Sequence, residues 1–553
     1  MIWCGHLHID SSTIRSNGKT YTRHLLRTSF REDGKVKHKT IANLSHYSDA
    51  EIEAVRLILK NKDRLPELGL AGDVKVKDDK RFGAVWCLYR IAERLKLCAA
   101  LGDDINGKLA LWQVFARLIG QGSRLSAVRL AQSHLGCELL GIDRLDEDDL
   151  YKNLAWLAQH QEQIELGLFR RRYAEQLPSL FLYDVTSSYL EGDHNALANY
   201  GYNRDKKQGK KQIVIGLLTD AQGVPVAVRV FEGNTSDGKT VADQVQILAH
   251  RFGVEQVTLV GDRGMLKGPQ IEQLPEGFRY LTAITKPQIR KMLDSSVLQY
   301  ELFDERVCEV SHEGIRYLLR RNPARAEQIQ RNREAKLATV ERVCLTQTQY
   351  LAEHKRASEE LAVKKLEAKI RSLKAEPYCK AAAKERVLSV QLDPEALREA
   401  ALLDGCYVLK TDVAPDQANA ETLHARYKDL IDVERAFRSM KTGHLEVRPV
   451  YVHREDSTRG HVLVVMLAYL LRLELEHCWL PLDVTVAEGL DELGAIKAQT
   501  VTLGSTSTAR LPEPNARATR LLKAAGVSLP KVLPTGQPNV ATKKNLPSER
   551  KPR

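Results

Sequence analysis

Residues 427–441 read YKDLIDVERAFRSMK. The stretch contains no Gly and no Pro, and its apolar residues recur at helical spacing, so it predicts an α-helix. With about 100° per residue, one face of that helix is apolar: Leu430, Val433, Phe437 and Met440. A narrow polar stripe lies beside that face: Tyr427, Glu434, Arg438 and Lys441. The pattern therefore indicates a half-buried helix that holds one carboxylate between cations.

The composition of the whole chain narrows the class of protein. The chain has 553 residues, enough for several domains, and 43% of them are hydrophobic, enough for substantial cores. Its net charge of +12 favours a polyanionic partner, either nucleic acid or an acidic membrane surface. No apolar run approaches the ~18 residues of a membrane span. The nine cysteines include no CxxC pair, so neither a zinc site nor a disulfide framework is indicated, and a reduced cytoplasmic setting is expected.

Changes in composition and periodicity divide the chain into six regions. They are a basic strand and turn region (1–75), a helical domain that either binds DNA or is a purely structural bundle (76–175), two parts of an α/β core (176–286 and 421–500), an insertion domain between them (287–420) and a basic disordered tail (501–553). The first core part alternates strands with a helix, which indicates a mixed α/β sheet. The insertion is rich in Lys, Glu, Arg and Ala, and the apolar spacing of its residues 363–373 fits either a short coiled-coil-like seam or a solvated helical arm.

Two further acids stand out by their positions in the core. Asp184 interrupts the apolar strand LFLYDVTSSY, where an unpaired charge would be costly. Asp262 follows VTLVG, at the end of a strand, where ligands and metals collect. Each acid alone has a structural interpretation: Asp184 pairs with an Arg, Asp262 caps a turn, and Glu434 forms an ion pair with Arg438 at i+4.

Taken together, the three acids indicate a metal site. Asp184, Asp262 and Glu434 can converge at one edge of a sheet, and carboxylate ligands suit Mg²⁺ or Mn²⁺. Two such ions, ~3.5–4 Å apart, can activate an attacking oxygen and stabilise a leaving oxygen at a phosphate. Arg438 and Lys441 would then contact phosphate oxygens of a nucleic acid.

These residues resemble those of the DDE transposases of bacterial insertion sequences. One large group of them carries the signature Tyr, two residues, Arg, three residues, Glu, six residues, Lys, and Tyr427, Glu434 and Lys441 fall at its places. The Arg position is Leu430, a departure. YDVTSSYLEG and LVGDRGM resemble the segments around the two Asp residues, and FEGNTSDGKT and the N-terminal TSFREDGKVKHKTIANLS resemble the same group.

The resemblance implies a ribonuclease-H-like α/β core that an insertion domain interrupts. It implies catalytic and metal-binding roles for Asp184, Asp262 and Glu434, with two Mg²⁺ ions that Mn²⁺ can replace. The implied DNA contacts are Tyr427, Arg438, Lys441 and Arg263. The implied activity is cleavage and strand transfer at the terminal inverted repeats of the protein's own element, into target DNA, by a homodimer. A nucleoid-associated bacterial protein without membrane contact is expected.

Two other functions are compatible with parts of the sequence. A DNA-binding protein descended from a transposase would share the fold, although the presence of all three acids argues against lost catalysis. A glycoside hydrolase would use two carboxylates, but the basic charge, the low aromatic content of 6% and the third acid disfavour it.

Overall fold

The protein is described from a computed structural model. The structure describes residues 6–16, 19–32, 35–60, 74–192, 194–441, 445–447, 450–503, 506–534 and 536–542. In this part of the chain, no helix is both long and apolar enough to cross a membrane.

The N-terminal region is a three-stranded antiparallel sheet with one helix. Its elements are β1 (His6–Ser16), β2 (Lys19–Glu32), β3 (Lys35–Asn43) and α1 (Asp49–Lys60). The alternating pattern predicted these strands, and the predicted turn in REDGK includes residues 33–34, which lie outside the described residues. Cross-strand ion pairs such as Arg27 with Asp10 tie the sheet together.

The next region is helical, as its periodicity predicted. Its elements are β4 (Val74–Arg81), α2 (Gly83–Arg94), α3 (Leu97–Leu101), α4 (Ile105–Gly120), α5 (Arg124–Ser133), α6 (Gly136–Leu140), β5 (Arg144–Leu145) and α7 (Glu147–Arg172).

These helices do not form a hydrophobic core separate from the central sheet, so the domain boundary predicted for 76–175 is not observed, while DNA binding by this region stays a prediction. Their buried residues form one hydrophobic core with a face of the central sheet and with the later helix Glu455–Trp479. Residues 109–118 of α4 are all buried, so this helix has no face to present to a DNA groove. Amphipathic spacing shows that a helix buries one face, but it does not show which element covers that face.

The first part of the core builds the centre of an eight-stranded sheet. Its elements are β6 (Leu180–Tyr189), β7 (Gln212–Asp220), β8 (Pro225–Phe231), α8 (Asp237–Gln246, continued by a π-helical turn Ile247–Arg251), β9 (Val257–Gly261), α9 (Gly268–Glu272) and β10 (Phe278–Ala283).

The strand order in this centre is β8-β7-β6-β9-β10. β6, β7 and β8 are antiparallel neighbours, whereas β9 is parallel to both β6 and β10. Helices cover both faces of the sheet, so every residue of β7 is buried. This topology is the expected ribonuclease-H-like core, and the fold prediction is confirmed.

The interrupting region contributes both a separate lobe and three more strands of the same sheet. Its elements are α10 (Lys286–Asp294), β11 (Cys308–His312), β12 (Ile315–Arg321), α11 (Pro323–Glu353), α12 (Glu359–Ser372), β13 (Cys379–Lys384), β14 (Val387–Leu392), α13 (Pro394–Leu402) and β15 (Cys406–Thr411).

The predicted insertion at 287–420 is therefore wider than the lobe that folds apart. β15 pairs with β10, β12 pairs with β15, and β11 closes that edge of the sheet. Only residues from about α11 to α13 form a lobe with its own small core, in which Leu366 and Ile370 of the predicted seam are buried. Charge-rich composition identified the lobe, but it could not show that short flanking strands extend the sheet.

The C-terminal part returns to the core and stays ordered beyond residue 501. Its elements are α14 (Ala420–Lys428), α15 (Leu430–Lys441), α16 (Glu455–Trp479), α17 (Val486–Gly494), β16 (Lys497–Leu503), β17 (Thr506–Arg510), α18 (Ala516–Ala524) and β18 (Asn539–Val540).

The prediction of a disordered tail at 501–553 is wrong for most of that range. β16 pairs with β4, which joins the C-terminal part of the chain to the strand before α2. Leu521 and Leu522 of α18 are buried in the main core, and the Trp479 indole N–H donates to the Leu521 carbonyl at 3.1 Å. The segment is basic and contains several prolines, but its few apolar residues are spaced to pack as one short amphipathic helix. Residues 543–553 lie outside the described residues.

Candidate active site

Asp184 lies in β6, on the face of the sheet that α15 covers. Side chains alternate along the strand, and Leu182 packs into the main core while Tyr183 and Val185 pack on the opposite face. The carboxylate is half-buried and accepts a hydrogen bond from the Val185 amide at 2.8 Å. The pKa of Asp184 is raised to about 7, mainly by burial and to a smaller extent by the nearby Asp262 and Glu434 carboxylates, against the lowering effects of the Val185 hydrogen bond and Arg204.

Asp262 is brought beside Asp184 by strand register. β6 and β9 are parallel, and their last paired residues are Tyr183 and Gly261. The next residue of each strand is an acid, so Asp184 and Asp262 lie side by side where the pairing of β6 with β9 ends. The Arg263 amide donates to Asp262 Oδ1 at 2.8 Å, and the Tyr427 hydroxyl lies 3.5 Å from the same oxygen.

Glu434 approaches the two Asp residues from α15. The predicted apolar face is buried at Val433, Phe437 and Met440, while Glu434 is exposed. The helix predicted over 427–441 is interrupted at Asp429, so Tyr427 ends α14 instead of opening the helix that carries Glu434. The interruption turns Tyr427 towards Asp262, and burial raises the pKa of its hydroxyl, which therefore stays protonated as a donor.

The three acids line one open cavity of about 1020 Å³ at the edge of the sheet. Four of its other lining residues are the DNA contacts expected from the resemblance: Arg263, Tyr427, Arg438 and Lys441. Arg263 and Arg438 are exposed, so both can reach a ligand in the cavity. The sequence thus identified seven residues from three distant segments that the fold does bring together.

Lys441 differs from Arg438 in its surroundings. Its ammonium forms an ion pair of 2.7 Å with Asp205 and donates to the Thr186 hydroxyl at 3.0 Å. The side chains of Lys441 and Asp205 are 11% and 1% exposed. Lys441 therefore fixes the end of α15 to β6 and to the loop after it, instead of projecting into solvent as a phosphate contact was expected to do.

Sequence reasoning missed the residues that the loop between β6 and β7 contributes. Arg204 bonds both carboxylate oxygens of Asp237 at 2.7 Å, and Asp205 is the partner of Lys441. All three line the cavity. The available signal was the run NRDKKQGKKQ at 203–212, a dense group of cations immediately after the strand that holds Asp184.

The ion pairs separate the acids of this cavity into two groups. Asp205 and Asp237 each pair with a cation. Among the described residues, Asp184, Asp262 and Glu434 form no ion pair within 4.0 Å, so the structural interpretation of Glu434 as a partner of Arg438 is not observed.

The donor set fits a hard divalent cation. Within the described part of the chain, the three carboxylates have no cationic partner within 4.0 Å, so their oxygens can serve as ligands. A bound cation would relieve their mutual repulsion, which contributes after burial to the raised pKa of Asp184. The described residues contain no preassembled group of three metal-ligating side chains, so the acids surround the cavity in an open arrangement. Cys406 and His424 also line it, but His424 is bonded to the Tyr407 hydroxyl and to Arg320.

Comparison with known proteins identifies the family of this chain. A family model described as a transposase DDE domain matches residues 175–471, more than half of the chain, and a second, the N-terminal domain of IS1634 family transposases, matches residues 9–68. A search of curated proteins finds no match. Among solved structures, the piggyBac transposase synaptic complex with hairpin DNA matches with 7% identity and a TM-score of 0.36, over 80% of this chain and 75% of that one.

The fold and the site thus define a transposase of the ribonuclease-H-like class. The chain belongs to the transposase DDE domain family, and its N-terminal part is that of an insertion-sequence transposase.

Proposed function

We propose that this transposase cleaves DNA strands at the ends of its own insertion sequence and transfers them to target DNA in a metal-dependent reaction. The observation that carries the proposal is that Asp184, Asp262 and Glu434 form no ion pair with any described residue, whereas the other acids of the same cavity are paired with cations. Of the three, the half-buried Asp184 carboxylate is costly to leave without a cation, and its raised pKa is typical of residues at functional sites.

Each acid has a defined part in the proposal. Asp184, Asp262 and Glu434 would hold two Mg²⁺ ions, which Mn²⁺ can replace, and transposases with this domain generally use divalent metal ions. When bound, such ions activate an attacking oxygen and stabilise the leaving oxygen at a phosphate.

The neighbouring residues position the acids and the DNA. Tyr427 orients Asp262 through its hydroxyl, and Lys441 orients α15 through Asp205 and Thr186. Arg438 and Arg263 are exposed at the cavity and would contact phosphate oxygens on either side of the cleaved bond.

The substrates in this proposal are the terminal inverted repeats of the element, bound by a homodimer on paired ends, together with target DNA. The group with the Tyr, Arg, Glu and Lys signature is the proposed subgroup, with Leu430 in place of its Arg. Leu430 is partly buried against the core, and Arg438, one turn beyond Glu434, is an exposed cation that lines the same cavity.

The test is cleavage of a DNA duplex that carries the inverted repeat found beside the gene. Wild type should cut with Mg²⁺ or Mn²⁺ and bind without cutting in Ca²⁺, which is larger and less exacting in geometry. Asp184→Asn, Asp262→Asn and Glu434→Gln should each abolish cutting, and a double variant should resemble either single one because the acids act as a unit. Binding that persists in the wild type without cleavage under any metal would instead indicate a non-catalytic DNA-binding protein.

A further inference from the structure

A small cavity of about 200 Å³, here called the distal cavity, lies at the end of the central sheet opposite to the active site. β6 and β7 are antiparallel, so that Tyr189 faces Gln212 at one end of the pair and Phe181 faces Asp220 at the other. The active-site cavity includes the loop that follows Tyr189, whereas the distal cavity lies at the start of β8, just beyond Asp220. No described residue lines both cavities, so a ligand of the distal cavity is separate from the DNA at the three acids.

The walls of the distal cavity are apolar and are anchored in both cores of the protein. Met466 of α16 belongs to the core on one face of the sheet, and Phe169 of α7 belongs to the core on the other face. Phe169 stacks on Phe252 with 4.1 Å between the ring centroids. The remaining apolar lining residues are Leu95, Leu168, Pro225, Val226 and Leu470. An apolar cavity is costly to leave unfilled, and anchored walls of this kind leave a space that an apolar group can fill.

Four exposed cations surround the mouth of this apolar space: Arg94, Lys96, Arg171 and Arg172. Two of them have acidic partners, because Arg94 pairs with Glu474 at 2.9 Å and Arg172 lies 3.8 Å from Asp220. Lys96 and Arg171 form no ion pair within 4.0 Å with any described residue, and no described acid lines the cavity. An apolar space with an unbalanced cationic rim is complementary to a molecule that has an apolar tail and an anionic head.

A structural role at helix ends explains only part of this rim. Arg171 lies in the last turn of α7, where cations stabilise the helix dipole, and its guanidinium donates to the Gly167 carbonyl at 3.3 Å. Lys96 follows the end of α2 with a φ of +62°, a conformation in which glycine is favoured. The backbone therefore does not account for a lysine at this position, and its ammonium is available to an anion at the mouth of the cavity.

We propose that the distal cavity binds a free straight-chain carboxylate. Its apolar tail fills the space between α7, α16 and β8, and its carboxylate lies at the rim beside Lys96 and Arg171. At about 30 Å³ for each water-sized group, the cavity holds roughly seven such groups, so a tail of roughly six to eight carbon atoms fills it. The ligand contacts α7 and α16 together, and it stabilises the folded chain by mass action.

The length of the ligand provides the first test, with the full chain and isothermal titration calorimetry. Affinity should rise about fourfold for each added methylene from butanoate to octanoate, the gain expected when a methylene leaves water for an apolar site. Decanoate should bind little better than octanoate, because the cavity is then full. A series without any rise would overturn the apolar site. A rise that continues unchanged to dodecanoate would indicate partition onto an open surface and would overturn it as well.

The charge of the rim is tested by comparing octanoate with uncharged 1-octanol. Combined Lys96→Gln and Arg171→Gln should weaken octanoate binding by roughly 3- to 30-fold, the range for two exposed ion pairs, and should leave 1-octanol binding unchanged. Arg170→Gln is the matched control, because Arg170 is exposed in the same turn of α7 but does not line the cavity. This control should keep the octanoate affinity of the wild type. Equal octanoate affinity in the double variant and in Arg170→Gln would overturn the carboxylate position.

A larger side chain in the lining tests where the tail lies. Leu470 of α16 is partly buried in the wall, so Leu470→Phe should fill part of the cavity and weaken octanoate binding by roughly 16-fold or more, the equivalent of two excluded methylenes. Leu473 is partly buried on the same helix outside the lining, so Leu473→Phe should bind octanoate like the wild type. Octanoate should raise the melting temperature of the wild type and of Leu473→Phe much more than that of Leu470→Phe. Equal binding by the two variants would refute the proposal, and if Leu470→Phe does not fold, the length and charge tests decide.

Discussion

Asp184→Asn should stabilise the metal-free protein while it abolishes cleavage. The substitution removes a buried negative charge that two other carboxylates repel, and it keeps an oxygen that can accept the bond from the Val185 amide. The folded pKa of about 7 lies above the ordinary value of 3.8, so folding of the wild type with an ionised Asp184 is penalised.

The size and the pH dependence of this effect follow from the two pKa values. The difference corresponds to a ceiling of about 4 kcal/mol above pH 7. Solvent that reaches the half-buried carboxylate lowers the expected gain to about 2 kcal/mol. Because the folded-state pKa is raised, the penalty is absent below pH 4, grows between pH 4 and 7 and is constant above pH 7. The stabilisation of the metal-free protein by Asp184→Asn should depend on pH in the same way.

The assay is urea unfolding followed by tryptophan fluorescence, with EDTA, at pH 5, 6.5 and 8. Asp262→Asn is the control, because it removes an exposed carboxylate from the same cavity and should change the unfolding midpoint little. Excess Mg²⁺ should stabilise the wild type and so reduce the difference in stability between it and Asp184→Asn, since only the wild type retains all three ligands. If Asp184→Asn stabilises the protein equally at pH 5 and pH 8, or does not stabilise it at pH 8, the Asp184 carboxylate is not held in a repulsive, desolvated position.

Other substitutions distinguish structural from functional residues. Lys441→Ala should lower the free energy of unfolding by about 3–5 kcal/mol, because it leaves Asp205 buried without its cation. Arg438 is exposed, so Arg438→Ala should slow cleavage and change the unfolding midpoint much less; paired unfolding and cleavage assays check both variants. Deleting residues 512–553 should lower the melting temperature, because this deletion removes α18 from the core. Deleting only residues 543–553, which carry five cations, should leave the melting temperature unchanged and flatten the salt dependence of DNA binding. Limited proteolysis should cut first at 354–358, the turn between α11 and α12, and mass spectrometry should find the remaining core associated; first cuts within 178–286 would contradict this lobe boundary.

The sequence was most informative where a local pattern determines the geometry. Asp184 and Asp262 could be placed because each sits at a fixed point of a strand, and a parallel register turns those points into neighbours. The buried face of α15 followed from its 3.6-residue period in the same way. The break at Asp429 could not be foreseen, since nothing in KDLI excludes a continuous helix, and the turn depends on tertiary contacts of Tyr427.

Lys441 shows why pairing between distant segments escapes such reasoning. On the helix alone, its place beside Glu434 and Arg438 predicts a third member of a phosphate-binding stripe. Its actual partner, Asp205, lies in an irregular loop whose path no periodicity describes, and only the closed fold reveals that the pair is buried. A charged side chain at a helix end can equally face a ligand or secure a loop, and local sequence does not distinguish the two.

The distribution of ion pairs around the cavity connects the fold to the chemistry. In the loop after β6, Arg204 pairs with Asp237 and Asp205 pairs with Lys441. These two cations and two acids stabilise the walls of the cavity. The same arrangement leaves Asp184, Asp262 and Glu434 as a separate negative centre, and its repulsion adds to the effect of burial, which is the main cause of the raised pKa of Asp184. A fold selected for stability alone would have little reason to pair the outer acids and leave the central ones exposed to one another. A site that must attract divalent cations needs this separation, because an acid already paired with an arginine or lysine is a poor ligand.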